Sequence, residues 1–132
     1  MKKGEFLSEF KMLILIGAGG FMGAAMRYYM SGLLTRGDFP YGTLLVNILG
    51  SFILGFLLFS SFYSGYDSPE IRGFLAIGLL GAFTTMSTFS FETLEFFNTR
   101  EFWTGGVNII LNVGLSITGV YSGKVLALIM SG

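Results

Sequence analysis

Long apolar stretches alternate with short polar connections along this chain, and their lengths are the first guide to its structure. A helix needs about 20 mostly apolar residues to cross the hydrocarbon core of a bilayer. Four stretches meet that length, at residues 12–34, 41–62, 71–97 and 103–130. Pro40 and Pro69 stand where helices would start, a position that tolerates proline. The pattern predicts an all-α integral membrane protein, a single membrane domain over residues 1–132 with four transmembrane helices.

The composition supports this prediction and narrows the class of protein. Hydrophobic residues make up 52% of the chain and charged residues 12%, which is far from a soluble globular domain. Cysteine and histidine are both absent, so thiolate sites, disulfides and the usual general base are excluded. The net charge is zero, and no basic stripe suggests a nucleic-acid partner. The composition therefore argues against an enzyme and favours a multi-pass protein of the cell (inner or plasma) membrane.

The N-terminus and the cations bear on how the chain is inserted. The first ten residues contain Glu5 and Glu9, and no Ala-x-Ala site follows the apolar run, so a cleaved signal peptide is not expected. Four spans put both termini on one side. The cations on that side are Lys2, Lys3, Lys11 and Arg72, with Lys124 as a further candidate, against Arg36 and Arg100 on the other. This bias favours cytoplasmic termini only weakly and leaves room for insertion in both orientations.

Small residues recur four positions apart inside three of the spans. The pairs are Gly19 with Gly23, Ser51 with Gly55, and Gly119 with Gly123. Such spacing is typical of close packing between membrane helices. Small-residue faces this extensive in so short a chain favour a homo-oligomer.

Polar residues lie at membrane depth in the first, second and fourth spans. Arg27 sits inside the first span, where an arginine is costly unless it snorkels, pairs or faces water. It fits either snorkelling or an aqueous vestibule that concentrates anions. Asn108, Asn112 and Ser116 recur every four residues and form a stripe on the fourth helix, and Asn47 lies in the second. Interhelical hydrogen bonding and a wet pathway both account for this stripe.

The middle of the third span is the most informative segment. It reads GAFTTMSTFSFE over residues 81–92, a glycine followed by hydroxyls and β-branched residues that do not favour an uninterrupted helix. We expect a break from Gly81 to Thr84, where exposed carbonyls can coordinate a hard cation such as sodium. The alternative is a continuous helix whose hydroxyls bond back to their own carbonyls. Glu92 is a further polar group, about two turns beyond the break.

Four motifs, one in each span, look familiar. They read GGFMGAAMRY at residues 19–28, GTLLVNILGSF at 42–52, TTMSTFSFE at 84–92 and NVGLS at 112–116. In this order they resemble the Fluc (CrcB-type) family of fluoride channels. The resemblance covers all four helices and leaves only the termini and loops outside it.

The resemblance implies a passive, fluoride-selective channel that exports cytoplasmic fluoride and protects the cell from its toxicity. It implies an antiparallel homodimer of dual-topology subunits, two fluoride pores, and one structural sodium ion at the dimer centre. The positions that match the sodium-coordinating backbone carbonyls are Gly81 and Thr84. The positions that match the fluoride pathway and its vestibule are Asn47, Thr85, Met86, Phe89, Glu92, Asn112 and Ser116 in the pathway and Arg27 in the vestibule.

One position departs from the family pattern. The family has phenylalanine where this chain has Met86. An aromatic ring has a positive edge that can receive an anion, whereas a polarizable thioether has none. One half of the ring pair that the resemblance implies is therefore missing here.

Two other functions fit part of the pattern. A small four-helix, proton-coupled multidrug antiporter would need a membrane-embedded carboxylate, by resemblance in its first helix. The first span has none, and Glu92 in the third is the candidate. A non-transporting membrane assembly subunit would explain the glycine faces, but not the polar stripe and the broken helix together.

Overall fold

The molecule is built from four long helical spans. The computed structural model describes the backbone of residues 3–34, 37–64 and 68–132, and the side chains in these ranges except at 3 and 61–64. No strand occurs in these ranges. The helices are α1 (Lys3–Leu34), α2 (Tyr41–Ser64), α3 (Pro69–Arg72 continued by Gly73–Leu80 and Gly81–Phe83), α4 (Met86–Asn98) and α5 (Phe102–Ser131). The all-helical class and the four predicted spans are confirmed.

Contacts at the helix ends establish an up-and-down arrangement. Lys11 near the start of α1 pairs with Glu70 at the start of α3, at 3.3 Å. The rings of Phe39, before α2, and Phe96, near the end of α4, stack at 6.4 Å. Consecutive spans therefore run in opposite directions. Residues 2 and 36 and the side chain of residue 3, all counted in the charge bias, lie outside the described part of the chain.

The helices extend beyond the apolar stretches that predicted them. α1 begins at Lys3 rather than at Met12, so Phe6 and Phe10 lie on the same continuous helix, with their rings 6.3 Å apart. A search for apolar stretches identifies only the part of a helix that is apolar enough to lie in the hydrocarbon core. A helix continues through polar residues such as Glu5, which is favourable in a first turn because it faces the positive end of the helix dipole.

Glycines set the distance between α1 and α3. A Cβ at Gly23 would lie 2.0 Å from the carbonyl oxygen of Leu79, and one at Gly19 would lie 2.3 Å from that of Phe74. From the other side, a Cβ at Gly78 would lie 2.5 Å from the carbonyl oxygen of Ile16. The two backbones therefore touch, which only residues without a Cβ allow.

A second backbone contact joins α2 to α5. Cβ atoms at Gly55 and Gly123 would lie 2.3 Å and 2.1 Å from the carbonyl oxygens of Val120 and Phe52. The small residues of the sequence motifs thus lie at helix contacts, as their spacing predicts. The chain consists of two tightly packed helix pairs, α1 with α3 and α2 with α5, and α4 contacts α5.

The third span is broken near its middle, as predicted. Its helix is π-helical over Gly73–Leu80 and ends at Phe83, and α4 begins at Met86. Thr84 and Thr85 between them are extended, with ψ angles of 158° and 114°. Gly81, expected to be part of the break, is helical (φ −62°, ψ −34°). The break is therefore shorter than the expected Gly81–Thr84 segment, because the two β-branched threonines interrupt the helix and the glycine does not.

Candidate functional site

A cavity of about 370 Å³ lies beside the break and collects most of the predicted site residues. The predicted residues that line it are Asn47, Gly81, Thr84, Thr85, Met86, Phe89, Asn112 and Ser116. None of the described residues that line it is charged. Gly81 is exposed and the Met86 side chain is 70% exposed, so the cavity opens on a face of the chain at the middle of the third span.

Asn47 binds the backbone that the break releases. The Thr85 N–H donates to Asn47 Oδ1 at 2.8 Å, and Asn47 Nδ2 donates to the Thr85 carbonyl at 3.1 Å. Because the N–H is only a donor, it fixes which way the Asn47 amide faces. One buried side chain on α2 therefore replaces the two helical hydrogen bonds that Thr85 gives up, as backbone at membrane depth requires.

A chain of hydrogen bonds runs from Asn47 along the polar stripe of α5. Asn47 Nδ2 donates to Asn112 Oδ1 at 2.9 Å, and Asn112 Nδ2 donates to Asn108 Oδ1, also at 2.9 Å. Asn108 Nδ2 donates to Thr93 Oγ1 at 2.9 Å, and that hydroxyl donates to the Phe89 carbonyl at 2.8 Å. Each group accepts from the one before it and donates to the next. Interhelical bonding therefore explains Asn108 and Asn112, while the Ser116 hydroxyl makes no hydrogen bond to any described residue.

Phe89 and Met86 lie between this cavity and a second one. The second cavity, of about 380 Å³, extends along α4 and α5 past Thr93 and Phe97. Met86, Phe89 and Val113 line both cavities, so their side chains form the partition. Phe89 is 5% exposed and held in place, whereas Met86 is largely exposed. The partition thus combines one buried ring with one exposed, flexible thioether.

Gly81 and Thr84 have backbone carbonyls without their helical donors. The N–H four residues after Gly81 belongs to Thr85 and binds Asn47 instead. The N–H four residues after Thr84 belongs to Thr88 and binds the Thr85 hydroxyl at 3.2 Å. In a regular helix these N–H groups would bind the two carbonyls. Hard oxygen ligands are the kind that a sodium ion prefers.

Arg27 lies beside the break rather than at the membrane surface. Its side chain is half-buried, and Nη1 donates to the Thr84 carbonyl at 3.4 Å. Arg27 is not among the residues that line the uncharged cavity. This contact is a pairing with a backbone carbonyl, which is neither of the two interpretations left open from the sequence, and the vestibule role stays a prediction.

Glu92 is also separate from the cavity. Its Oε1 accepts a hydrogen bond from Thr43 Oγ1 at 2.6 Å, and its Oε2 is buried without a partner in the described part of the chain. Thr43 is buried on α2, one turn before Asn47. The structure therefore brings Glu92 to the same helix face as Asn47, but one turn away from it.

Two polar residues of this region did not stand out as site residues in the sequence. They are Thr43 and Thr93, whereas Asn108 was already part of the predicted polar stripe. Thr43 precedes Asn47 by four residues, a spacing that places both on one helix face and could have indicated it. Thr93 had no such signal, because a lone threonine in a helix bonds to its own backbone in most settings.

Comparison with known proteins identifies the family. A family model described as CrcB-like protein, Camphor Resistance (CrcB), matches residues 14–124. A protein of Methanosarcina acetivorans named fluoride-specific ion channel FluC 1 is 48% identical over 118 residues, covering 88% of this chain and 90% of that protein. Proteins named fluoride-specific ion channel FluC from Clostridium novyi and Thermococcus gammatolerans are 42% and 45% identical, covering 90% and 89% of this chain and 95% and 96% of their own lengths.

The resemblance carried by the four motifs is thereby confirmed. All four motifs lie inside the matched range, and the relatives align over most of both chains. The protein is a multi-pass protein of the plasma membrane, with four helices that are long and apolar enough to cross it. The family model and the relatives both show that the chain belongs to the CrcB-like family.

Proposed function

We propose that the protein is a passive, fluoride-selective channel that exports cytoplasmic fluoride and so protects the cell from its toxicity. The observation that carries the proposal is the uncharged cavity at the helix break, whose mostly apolar lining includes amides, hydroxyls and the Phe89 ring. The names of the relatives, all fluoride-specific ion channels, support the choice of ion.

An uncharged lining that carries a few hydroxyl and amide groups suits the passage of a small, strongly hydrated anion. Conduction needs binding that is strong enough to admit the ion and weak enough to release it. Hydroxyl and amide donors replace part of the hydration shell, whereas a fixed cation in the narrow section would hold fluoride there. Among the described residues that line the cavity, the hydroxyls of Ser51 and Ser116 are the side-chain donors without a hydrogen bond. The N–H groups of Asn47 and Asn112 are already bonded, so fluoride would have to exchange with the Asn47–Asn112 hydrogen bond.

The narrow section lies between the two cavities, at Phe89 and Met86. The ring edge of Phe89 carries partial positive charge and attracts an anion without binding it tightly. Met86 can turn its thioether aside, because three rotatable bonds make it adaptable. Thr43 and Glu92 extend the polar path by one turn along α2. Arg27 contributes positive charge from the α1 side, outside the narrow section.

We propose that two subunits form an antiparallel, dual-topology homodimer with two pores. At the middle of the third span, Ile77 (60% exposed), Met86 (70% exposed) and Gly81 form an open face beside the cavity. A Cβ at Gly81 would approach Ala76 O at 3.7 Å, an ordinary contact, so none of the described residues demands a glycine there. A close approach from a second copy would demand one.

One structural sodium ion at the dimer centre belongs to the same proposal. Gly81 and Thr84 of each subunit would hold it through the two carbonyls that have lost their helical donors. Oxygen ligands of this kind suit a hard cation, and the ion would bind the two broken helices to each other. The Thr84 carbonyl keeps a lone pair for it beside the Arg27 contact, since a carbonyl oxygen has two.

Fluoride efflux from liposomes tests the function. We expect purified protein to release fluoride rapidly and passively into a fluoride-free bath, measured with a fluoride electrode, and to leave a matched chloride load in place. Folded protein that releases no fluoride would contradict the channel and favour a membrane assembly subunit. Release that occurs only when a proton gradient drives protons into the liposomes would favour the antiporter, with Glu92 as its carboxylate.

Gly81→Ala tests the dimer and its ion. We expect this variant to fold like the unmodified chain, because the added methyl group makes only ordinary contact within it. Its dimer should dissociate after a smaller dilution of the protein into detergent. The dimer should also be no more stable in sodium than in N-methylglucamine, unlike the dimer of the unmodified protein. The control is Gly114→Ala, where a Cβ meets nothing within 4 Å. Unchanged dimer strength and unchanged sodium dependence in Gly81→Ala would exclude this position from the ion site.

A further inference from the structure

One peptide group at the helix break is bound at both ends by side chains from different helices. The carbonyl of the Thr84–Thr85 peptide accepts from Arg27 Nη1 at 3.4 Å, on α1. The N–H of the same peptide donates to Asn47 Oδ1 at 2.8 Å, on α2. A cation on the carbonyl polarises the peptide and strengthens its N–H as a donor. Arg27 and Asn47 are therefore connected through a single rigid peptide plane.

The helix contact below Arg27 explains how its side chain reaches the break. Gly23, one turn earlier on the same face, lets the α1 backbone touch Leu79. Leu79 lies five residues before Thr84 on α3, so this contact fixes α1 next to the break. The guanidinium then meets the carbonyl that has lost its helical donor to the Thr85 hydroxyl. Half-burial away from bulk water makes this pairing more important than it would be at a surface.

The orientation of the Asn47 amide, the first of the chain, depends on this peptide. The Thr85 N–H turns the Asn47 oxygen toward the break and its nitrogen toward Asn112. Asn112 in turn directs its nitrogen to Asn108, which directs its own to Thr93. If the peptide rotated, the first amide would lose the donor that fixes its orientation. The Asn47–Asn112 hydrogen bond would then lose its fixed direction, while Asn112 keeps a separate contact from its Nδ2 to the Asn108 backbone carbonyl at 3.2 Å.

We propose that Arg27 is a positioning residue of the fluoride pathway, which acts through the Thr84–Thr85 peptide to orient the Asn47 amide. This role rests on the proposed channel function and adds to it. It differs from attraction of anions, which needs only the positive charge of Arg27. Positioning needs its contact with one carbonyl oxygen. The two roles therefore respond differently to lysine, which keeps the charge on a shorter side chain with a compact ammonium head.

Fluoride efflux of Arg27→Lys and Arg27→Gln separates the two roles. We expect both variants to lose flux by roughly tenfold, the order expected when one charge-assisted hydrogen bond is lost. Arg72→Gln removes the same charge from an exposed site at the start of the third span and should stay close to the unmodified flux. Near-normal flux in Arg27→Lys with loss in Arg27→Gln would overturn the positioning role in favour of attraction.

Ionic strength gives a second, independent reading. The screening length falls from about 8 Å at 0.15 M salt to about 3 Å at 1 M, so attraction at a distance fades. With an impermeant salt, the flux ratio between the unmodified protein and Arg27→Gln should stay constant over this range. A ratio that falls toward one in high salt would contradict the proposal.

A coupling measurement tests the geometry without any flux. Thermal unfolding of Arg27→Lys, Asn47→Ala and the double variant should be non-additive, because either change alone frees the same peptide. Additive shifts of the unfolding temperature would overturn the connection through Thr84–Thr85. If the unmodified protein carries no fluoride, the channel function fails, and this cycle still decides whether Arg27 positions Asn47.

Discussion

Gly23→Ala is expected to separate α1 from α3 and to leave little correctly folded protein. The added Cβ would lie 2.0 Å from the Leu79 carbonyl oxygen, 2.9 Å from its carbonyl carbon and 3.1 Å from its Cα. All three are backbone atoms, so no side chain can turn away to make room. Overpacking costs about 1–3 kcal/mol even where side chains can adjust. The unfolding temperature in detergent should therefore fall by roughly 5–15 °C.

The change should also reach the break, since the same contact holds Arg27 beside Thr84. Protein that survives purification should release fluoride more slowly than its folded fraction accounts for. Gly17→Ala is the matched control on the same helix, because a Cβ there meets nothing within 4 Å. It should leave both the unfolding temperature and the flux near those of the unmodified chain. Equal effects of the two substitutions would mean that glycine matters in α1 for a reason other than this contact.

The fold could be predicted from the sequence because membrane insertion restricts the choices. Apolar length alone identified four spans, and backbone at membrane depth must be helical unless protein covers it. The break followed from the same rule, since consecutive threonines between a glycine and more hydroxyls do not favour a helix. The residues at which the break begins and ends could not be predicted in this way. Gly81 remains helical because its neighbours on both sides do, whereas Thr84 and Thr85 find side-chain partners in Arg27 and Asn47.

Site positions were harder to predict because they depend on distances between helices. The four-residue spacing of Asn108, Asn112 and Ser116 placed them on one face, but it did not tell which of them bond to other helices. In the structure Asn108 is fully buried and Asn112 nearly so, while Ser116 lines the cavity. The Thr43–Glu92 contact joins residues 49 positions apart, so no local pattern could indicate it. Arg27 was easy to identify in the sequence because it is a charged residue inside a span. Its partner was not, because that partner is a backbone carbonyl oxygen, which no sequence pattern singles out.

The roles of Phe89 and Met86 stay predictions, and they can be distinguished by what each side chain offers an anion. Phe89 is buried at the partition between the two cavities, whereas Met86 is exposed and flexible. Only the ring presents a positive edge in a constant place. If fluoride passes this partition, Phe89 should therefore contribute more to its rate than Met86.

Phe89→Ile is accordingly expected to abolish most fluoride efflux while leaving the fold and the dimer intact. Isoleucine fills much of the same buried space but has no ring edge. A desolvated cation over a ring face contributes about 2 kcal/mol, and a contribution of the same size from the ring edge to the anion would make its loss slow passage roughly 30-fold. The measurement is liposome efflux with a fluoride electrode, normalised to dimer recovered by size-exclusion chromatography.

Phe91→Ile provides the control, since it makes the same chemical change two residues away on α4, at a ring that is 63% exposed and lines neither cavity. We expect its flux to stay within about twofold of the unmodified protein, as for a surface change away from special contacts. Normal flux in Phe89→Ile would remove the ring edge from the mechanism. The hydroxyl and amide donors around Asn47 and Ser116 would then have to account for the passage of fluoride. The replacement of the family phenylalanine by Met86 would also lose its significance, because a path that does not use ring edges does not need a second ring.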